Sequence, residues 1–389
     1  MERERTTSRR ALLATVGAGT VALAGCSALG SSPLSSDGDG NESDGGTPSE
    51  TGTPTPEPGQ AAIPTYPYRE TGVDPLAAEP DPAADNPTFT YADLPESKAQ
   101  FAADPFMFVT EDDEWHMFFE LMLEKGVIAH ATSPDRGATW EYDDIVLDRQ
   151  WHLSFPYVFK WDGEIYMTTE EGHADAKARL YRAESFPTEW TEETVLFDPQ
   201  EHGHGMTDNV LFRWNDRWWS VAGAPGNEDT YVYHSDSLLG EWTPHENNPV
   251  VTGRKTAARP GGRPIVRDDH VLLFFQDCEA FYGEKVRAYR LTDLSTSTYQ
   301  DTEVEASPVV DGTAPTPEEA SRSWNSVRMH QFDAWYLGEG KGGRVAVDGD
   351  GTGPATWSIG IYHVPEGELT TTTGTATGDA PSNTTTTSE

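Results

Sequence analysis

Two aspartates, Asp104 and Asp208, each stand just before an apolar, aromatic-rich stretch. Two carboxyl groups that flank a glycosidic bond can serve as general base and general acid. Glu170, at the end of Met167-Thr168-Thr169-Glu170, is a third candidate for that chemistry. Other residues suit a polyhydroxyl or anionic ligand. Arg259 and Arg263 carry planar guanidinium forks, and Tyr157 and Tyr282 offer faces on which a sugar ring can stack. His330 and Asp333 hold a comparable position near the C-terminal end. Each of these alone is an ordinary residue for a turn, so shared chemistry requires an element that gathers distant positions around one axis. No set has metal-ligand spacing and His202-Gly203-His204 stands isolated, so neither metal nor cofactor is expected.

The required element is a repeat. An apolar strand, a polar turn and an aromatic strand recur. The first copy runs from Asp104-Pro105-Phe106-Met107-Phe108 to Trp115–Phe119, and the second from Phe155-Pro156-Tyr157-Val158-Phe159 to Trp161–Tyr166. The third runs from Asp208-Asn209-Val210-Leu211-Phe212 to Trp218-Trp219, and the fourth from Arg263-Pro264-Ile265-Val266 to Val271–Phe275. Phe108, Phe159, Phe212 and Val266 are separated by 51, 53 and 54 residues. Each copy alternates around an Asp/Asn/Gly turn, as hairpins do. A second hairpin follows each, and Ser133–Trp140 fits an Asp-box turn in which Asp135 accepts backbone hydrogen bonds. Four strands per fifty residues describe a propeller blade. A fifth, less regular unit spans His330–Tyr336, Arg344–Asp348 and Thr356–Val364, with Asn86-Pro87-Thr88-Phe89 expected to close the ring as its fourth strand. The fold class is therefore all-β, a five-bladed β-propeller. Its innermost strands converge on a central channel, and the candidate residues lie at the entrances to those strands.

Several segments resemble a known family. They are Asn86-Pro87 through Ala103-Asp104-Pro105-Phe106, Trp151-His152-Leu153-Ser154-Phe155-Pro156-Tyr157, Ala258-Arg259-Pro260-Gly261-Gly262-Arg263 and Gln276-Asp277-Cys278. Together they resemble the propeller of the N-terminal domain of glucosamine inositolphosphorylceramide transferase. That domain is similar to the five-bladed propellers of glycoside hydrolase family forty-three and the wider arabinanase, levansucrase and invertase group. The resemblance covers about residues 86–365 and implies a carbohydrate setting, with His152 and Asp277 joining the candidate binding residues. Family forty-three enzymes pair an Asp base on the first blade with an Asp and a Glu acid on the next two. Asp104 matches the base, the second blade presents Ser154-Phe155-Pro156, and the third presents Asp208 in place of Glu. In the named transferase the transfer chemistry resides in a separate domain.

Charge and termini set the context. The chain has 65 acidic and 27 basic residues and a formal charge of −38. Molar salt shortens the screening length to about 3 Å, so such a surface is soluble and folded in a salt-adapted cell. Nothing basic is concentrated enough to neutralise nucleic-acid phosphates. The paired Arg9-Arg10, the apolar stretch Ala11–Ala24 and Leu23-Ala24-Gly25-Cys26 read as a twin-arginine signal peptide ending in a lipobox. The stretch is shorter than the ~20 residues that span a bilayer. The expected organisation is a signal peptide over 1–25, a disordered Ser/Gly/Asp/Thr/Pro linker over 26–62, the propeller over 63–366 and a disordered Thr-rich tail over 367–389. The expected protein is a monomer anchored by a lipid on Cys26 to the outer face of the cytoplasmic membrane. It acts on or binds an extracellular glycan. The alternatives are a non-catalytic carbohydrate- or glycolipid-binding module and a propeller that docks envelope proteins.

Overall fold

Alternating apolar and polar residues around tight turns give antiparallel hairpins, and the computed structural model joins these into five four-stranded blades. It describes residues 75–365 except 97, 173–176, 313–322, 338–340 and 352–356. The signal peptide, the linker, Cys26 and the Thr-rich tail lie outside the described residues. Blade 1 comprises Phe101–Val109, Trp115–Met122, Gly126–Ser133 and Glu141–Leu147, from the axis outward. Blade 2 comprises His152–Trp161, Glu164–Gly172, Ala178–Ser185 and Glu189–Phe197. Blade 3 follows with Thr207–Trp214, Arg217–Gly223, Thr230–Ser235 and Thr243–Pro244. In blade 4 the inner strand is split into Arg259–Pro260 and Ile265–Val266, which pair with opposite ends of Val271–Asp277. Lys285–Leu294, Tyr299–Glu303 and the short Val310–Asp311, which pairs with Lys285 and Val286, complete it.

Blade 5 joins the two ends of the described chain. Phe332–Tyr336, Gly343–Gly349 and Ser358–Val364 come from the C-terminal side. The fourth strand is Glu79–Pro80, which pairs with Tyr362 and His363, rather than the segment expected from Asn86 to Phe89. That segment continues along the same edge by other means. The Asn86 side chain donates to the Ile361 carbonyl at 2.8 Å and accepts from its N–H at 2.7 Å, and Phe89 bridges Ile359. One amide side chain thus does what a strand backbone would do, and the edge that would invite aggregation is covered.

Apolar layers between neighbouring blades form the core. Phe159, Phe212, Trp218 and Phe275 belong to the layer shared by blades 2, 3 and 4. Phe274, Phe332 and Val347 fill the layer between blades 4 and 5, and Met117, Phe119 and Ile361 that between blades 5 and 1. Each fully buried side chain of this size is worth ~1.5–3 kcal/mol. The Asp-box turn plays its expected structural role, with Asp135 accepting from the Thr139 N–H at 2.7 Å and hydroxyl at 2.8 Å.

On the axis, a buried polar cluster ties all five innermost strands together. Arg263 Nε donates to Asp333 Oδ1 at 2.7 Å, while its two Nη groups donate to the carbonyls of Val158 and Met107, both at 2.8 Å. Asp333 Oδ2 accepts the Met107 N–H at 2.7 Å. The Tyr157 ring lies 5.1 Å from the guanidinium, and its hydroxyl donates to the Leu211 carbonyl at 2.8 Å. Blades 4, 5, 1, 2 and 3 are engaged in turn. Removing one partner of a buried ion pair leaves the other charge uncompensated, at a cost of about 3–5 kcal/mol. Asp333→Ala is therefore expected to lower the unfolding free energy by about that amount, measured by denaturant titration. An unchanged midpoint would show that the cluster does not hold the ring.

Candidate functional site

The innermost strands of blades 1, 2 and 3 share one irregularity. Their pairing with the second strand shifts between Ala103 and Phe106, between Ser154 and Tyr157, and between Thr207 and Val210. In each bulge a non-glycine residue has positive φ: Asp104 at 52°, Phe155 at 50° and Asp208 at 47°. Such backbone costs on the order of 1–3 kcal/mol per residue, and bulges re-aim a side chain at the edge of a site. The three positions are equivalent, so Phe155 is the blade-2 counterpart of the two aspartates. Its ring packs edge-on against Phe106 at 4.9 Å and supplies no charge.

The second strands carry a parallel set of residues, which sequence reasoning found only in part. Ala103 faces Glu120, Ser154 faces Glu170, Thr207 faces Gly223 and Arg259 faces Gln276. In blade 5, Asp348 follows Val347, the partner of Phe332. Glu120, Gln276 and Asp348 are all buried around the axis and were missed. The signal was present, since Glu120, Gln276 and Asp348 each stand five residues, and Glu170 six, after the start of the second strand of their blade.

Two clusters result. In the first, Arg259 Nε donates to Asp208 Oδ2 at 2.5 Å, and one Nη donates to Glu170 Oε2 at 2.6 Å. Another Nη reaches Asn227 Oδ1 at 3.2 Å, and Gln276 Nε2 donates to Asp208 Oδ2 at 2.7 Å. The Tyr282 ring covers the guanidinium at 5.1 Å. Burial pushes both carboxyls up. For Glu170 the Arg259 charge and hydrogen bonds from Asp208 outweigh burial and hold it below its usual value. For Asp208 burial prevails over Arg259, the Glu170 charge adds to it, and the carboxyl stays well above the ordinary range. Two carboxyls in hydrogen-bond contact require a proton between them, and these environments put it on Asp208.

In the second cluster, Asp348 accepts the N–H groups of Asp104 at 2.9 Å and of His330 and Gln331 at 3.0 Å. His330 Nδ1 lies 2.7 Å from Asp348 and 3.6 Å from Asp104. The imidazole is stacked on Trp357 at 3.7 Å and meets Tyr282 edge-on at 5.5 Å. Burial, opposed by His330 and reinforced by Asp348, raises Asp104 to about 6. Ligand atoms of Asp104, His330 and Asp348 lie within 4.8 Å of one another, a set that could hold a cation where none was expected from spacing.

His152 enters through a glycine. The Gly126 N–H donates to His152 Nδ1 at 2.9 Å, which leaves Nε2 as the protonated nitrogen, 3.3 Å from Glu120 Oε1. A Cβ on Gly126 would lie 2.3 Å from the Leu153 carbonyl oxygen, so only glycine permits this approach. Burial holds Glu120 well above the usual carboxyl range, and the neighbouring charges of Asp104, Glu170 and Asp348 add to it.

The structure therefore gathers Asp104, Asp208, Glu170, Arg259, His152, Tyr282 and His330 around one axial pocket. Four expected binding residues do not line it. Arg263, Asp333 and Tyr157 form the buried axial cluster, with their polar atoms given to one another and to backbone. Asp277 alternates with Gln276 on its strand, so it faces away from the axis and pairs with Arg287 at 2.8 Å.

Residues 69–350 match the family model of the N-terminal region of glucosamine inositolphosphorylceramide transferase 1. The protein of that name from Oryza sativa subsp. japonica is 37% identical over 278 residues, 68% of this chain and 35% of the relative. Its counterpart from Arabidopsis thaliana is 36% identical over 277 residues, 68% of this chain and 34% of the relative. The chain thus spans about a third of the length of these curated relatives. Similar solved structures include an alpha-L-arabinofuranosidase from Podospora anserina in complex with cellotriose, at a TM-score of 0.51 and 12% identity. That match covers 69% of this chain and 92% of the other. The catalytic domain of the Coprinopsis cinerea GH62 alpha-L-arabinofuranosidase gives 0.53 and 12%, covering 70% and 93%. At such identity these two support the glycoside-hydrolase-like propeller fold.

The raised Asp104 carboxyl has a consequence for stability. A carboxyl whose folded-state pKa exceeds its unfolded value contributes stability below the unfolded pKa, and that contribution is lost as pH rises through the folded one. For Asp104 this window runs from the ordinary 3.8 to about 6. Asp104→Asn is expected to flatten the fall in unfolding free energy across this range. A fall as steep in the variant as in the wild type would contradict the environment described.

Proposed function

The chain belongs to the family of the N-terminal region of glucosamine inositolphosphorylceramide transferase 1, and on that premise we propose that its axial pocket binds a sugar residue of an extracellular glycan or glycolipid headgroup. The observation that carries this reading is Arg259, clamped between Glu170 and Asp208 beneath the exposed ring of Tyr282. A guanidinium so fixed presents oriented polarity, and the aromatic face above it offers the apolar surface on which a pyranose stacks. Gln276 Oε1 is buried without a hydrogen-bond donor, and a sugar hydroxyl would supply one. The relatives named for a sugar-lipid transferase and the structural neighbour carrying cellotriose support a carbohydrate ligand.

A second reading, turnover of the bound sugar, is favoured by one specific observation. Burial pushes the Asp208 carboxyl well above its usual range while Arg259 holds Glu170 below it, which suits Asp208 as an acid, and Asp104, raised to about 6, suits the base. We also place the protein outside the cell, exported through its paired arginines, tethered by lipidated Cys26 and adapted to molar salt by its charge of −38. Cys26→Ser is expected to leave export intact and to shift the protein from the membrane to the medium, measured by fractionation. Membrane retention at wild-type levels would contradict the tether.

For the pocket, Asp104→Asn separates the two readings. With a general base at this position, turnover of a responsive glycan should fall about 10²–10⁴-fold. In a pocket that only binds, the wild type shows no turnover and the substitution weakens sugar affinity. A wild-type protein that binds no saccharide across a broad neutral and charged panel would overturn the proposal.

A further inference from the structure

We propose that a shallow groove beside the axial mouth is an anion subsite, in which Arg149, with Lys125 and Trp151, holds an oxyanion substituent of the glycan. This rests on the axial pocket's taking a sugar. The groove encloses about 740 Å³ and is lined by Lys125, Asp148, Arg149, Gln150 and Trp151. Lys125 lies in the turn between the second and third strands of blade 1, and 148–151 connect blade 1 to the inner strand of blade 2. In a propeller both kinds of connection lie on the face where the inner strands begin, as do Asn227 and Tyr282 of the axial pocket.

The charge balance of the groove singles out Arg149. Its guanidinium lies over the Tyr181 ring at 5.1 Å, and Nη1 donates to the neighbouring Asp148 carbonyl at 3.1 Å. Among the described residues it pairs with no carboxylate, in a chain whose acids outnumber its bases 65 to 27. The buried acid near Tyr181 is already engaged, since Glu171 pairs with Arg179 and accepts from the Tyr181 hydroxyl at 2.7 Å. The Arg179 guanidinium in turn lies 5.0 Å from the Trp151 ring. Lys125 is matched by Asp148, so Arg149 is the uncompensated cation. Its planar fork, backed by a fixed aromatic ring, suits a carboxylate, sulfate or phosphate group.

The groove and the axial pocket meet at His152. It follows Trp151 in sequence, hydrogen-bonds the residue after Lys125 and faces Glu120. One ligand can therefore place a sugar ring on the axis and a neighbouring oxyanion on Arg149. The Asp148 carboxylate in the same groove would repel an anion placed on Lys125 alone, which directs it to Arg149.

The test titrates the full chain with galactose, galacturonate and galactose 6-sulfate at constant ionic strength, with inorganic sulfate as a sugar-free probe. A charge-assisted contact of this kind is worth ~1.5–3 kcal/mol, or roughly tenfold or more in affinity. The acidic sugars are expected to bind about tenfold more tightly than galactose. Arg149→Gln should erase that difference while retaining galactose affinity and melting temperature. Whether sulfate or carboxylate gains more identifies the substituent. Equal affinities in the wild type, or an acid preference that survives in Arg149→Gln, would overturn the subsite and leave the axial reading intact. If no sugar binds, the axial reading fails, and the sulfate titration decides the groove. Sulfate binding that Arg149→Gln abolishes supports it, whereas absent or unaffected binding overturns it.

Discussion

A propeller must close, and here closure depends on one buried ion pair. Arg263 and Asp333 sit on the axis with every polar arm committed: to each other, to the Met107 backbone at two points, and to the Val158 carbonyl. Tyr157 carries the chain of contacts to Leu211. A buried pair of this kind gains little net stability over an apolar plug, because desolvation consumes most of the attraction. What it supplies is geometry. The five innermost strands are held at one set of distances, and everything at their entrances inherits that spacing.

The pocket stores free energy in two forms. Asp104, Phe155 and Asp208 hold backbone angles that non-glycine residues seldom adopt. Asp104, Glu120, Asp208 and Asp348 are buried acids in one small volume. Neither feature benefits folding, and each persists only because the surrounding sheets fix it. Proteins tolerate such costs chiefly where a ligand or a reaction requires them. The division of labour within the pocket follows from small differences in partners. Both Glu170 and Asp208 contact Arg259, but Glu170 is held below its usual range by that charge, whereas deeper burial and the Glu170 charge push Asp208 well above it.

Much of this was legible in the sequence because the repeat carries two signals at once. Strand alternation and turn residues marked the hairpins, and the fifty-residue spacing aligned Asp104, Phe155 and Asp208. The residues that were misplaced share a physical cause. Arg263, Asp333 and Tyr157 follow the pocket positions Arg259, His330 and Phe155 by four, three and two residues, deeper along the axis where the channel is filled. Depth along a strand is not encoded by residue type. The resemblance of Gln276-Asp277-Cys278 pointed to Asp277, whereas its neighbour Gln276 is the residue that faces the axis, because a one-residue step on a strand reverses the face. Glu120 and Asp348 lie on the second strands of blades 1 and 5, away from the strand entrances that the repeat marks. Closure by Glu79–Pro80 rather than Asn86–Phe89 was hidden by the Asn86 side chain, which imitates strand pairing.

The axial plug of Arg263 and Asp333 supports a cluster of buried carboxyls, with the exposed Tyr282 ring beside Arg259 at its edge. We propose that the sugar ring binds at this axial cluster and not at a blade edge. A crystal structure of the protein soaked with a saccharide that it binds in solution tests this most directly. The expected result is a sugar ring against Tyr282, with hydroxyls in hydrogen-bond contact with Glu170, Asp208 or Glu120. A sugar seated elsewhere, with the axial carboxyls contacting only one another and Arg259, would contradict it.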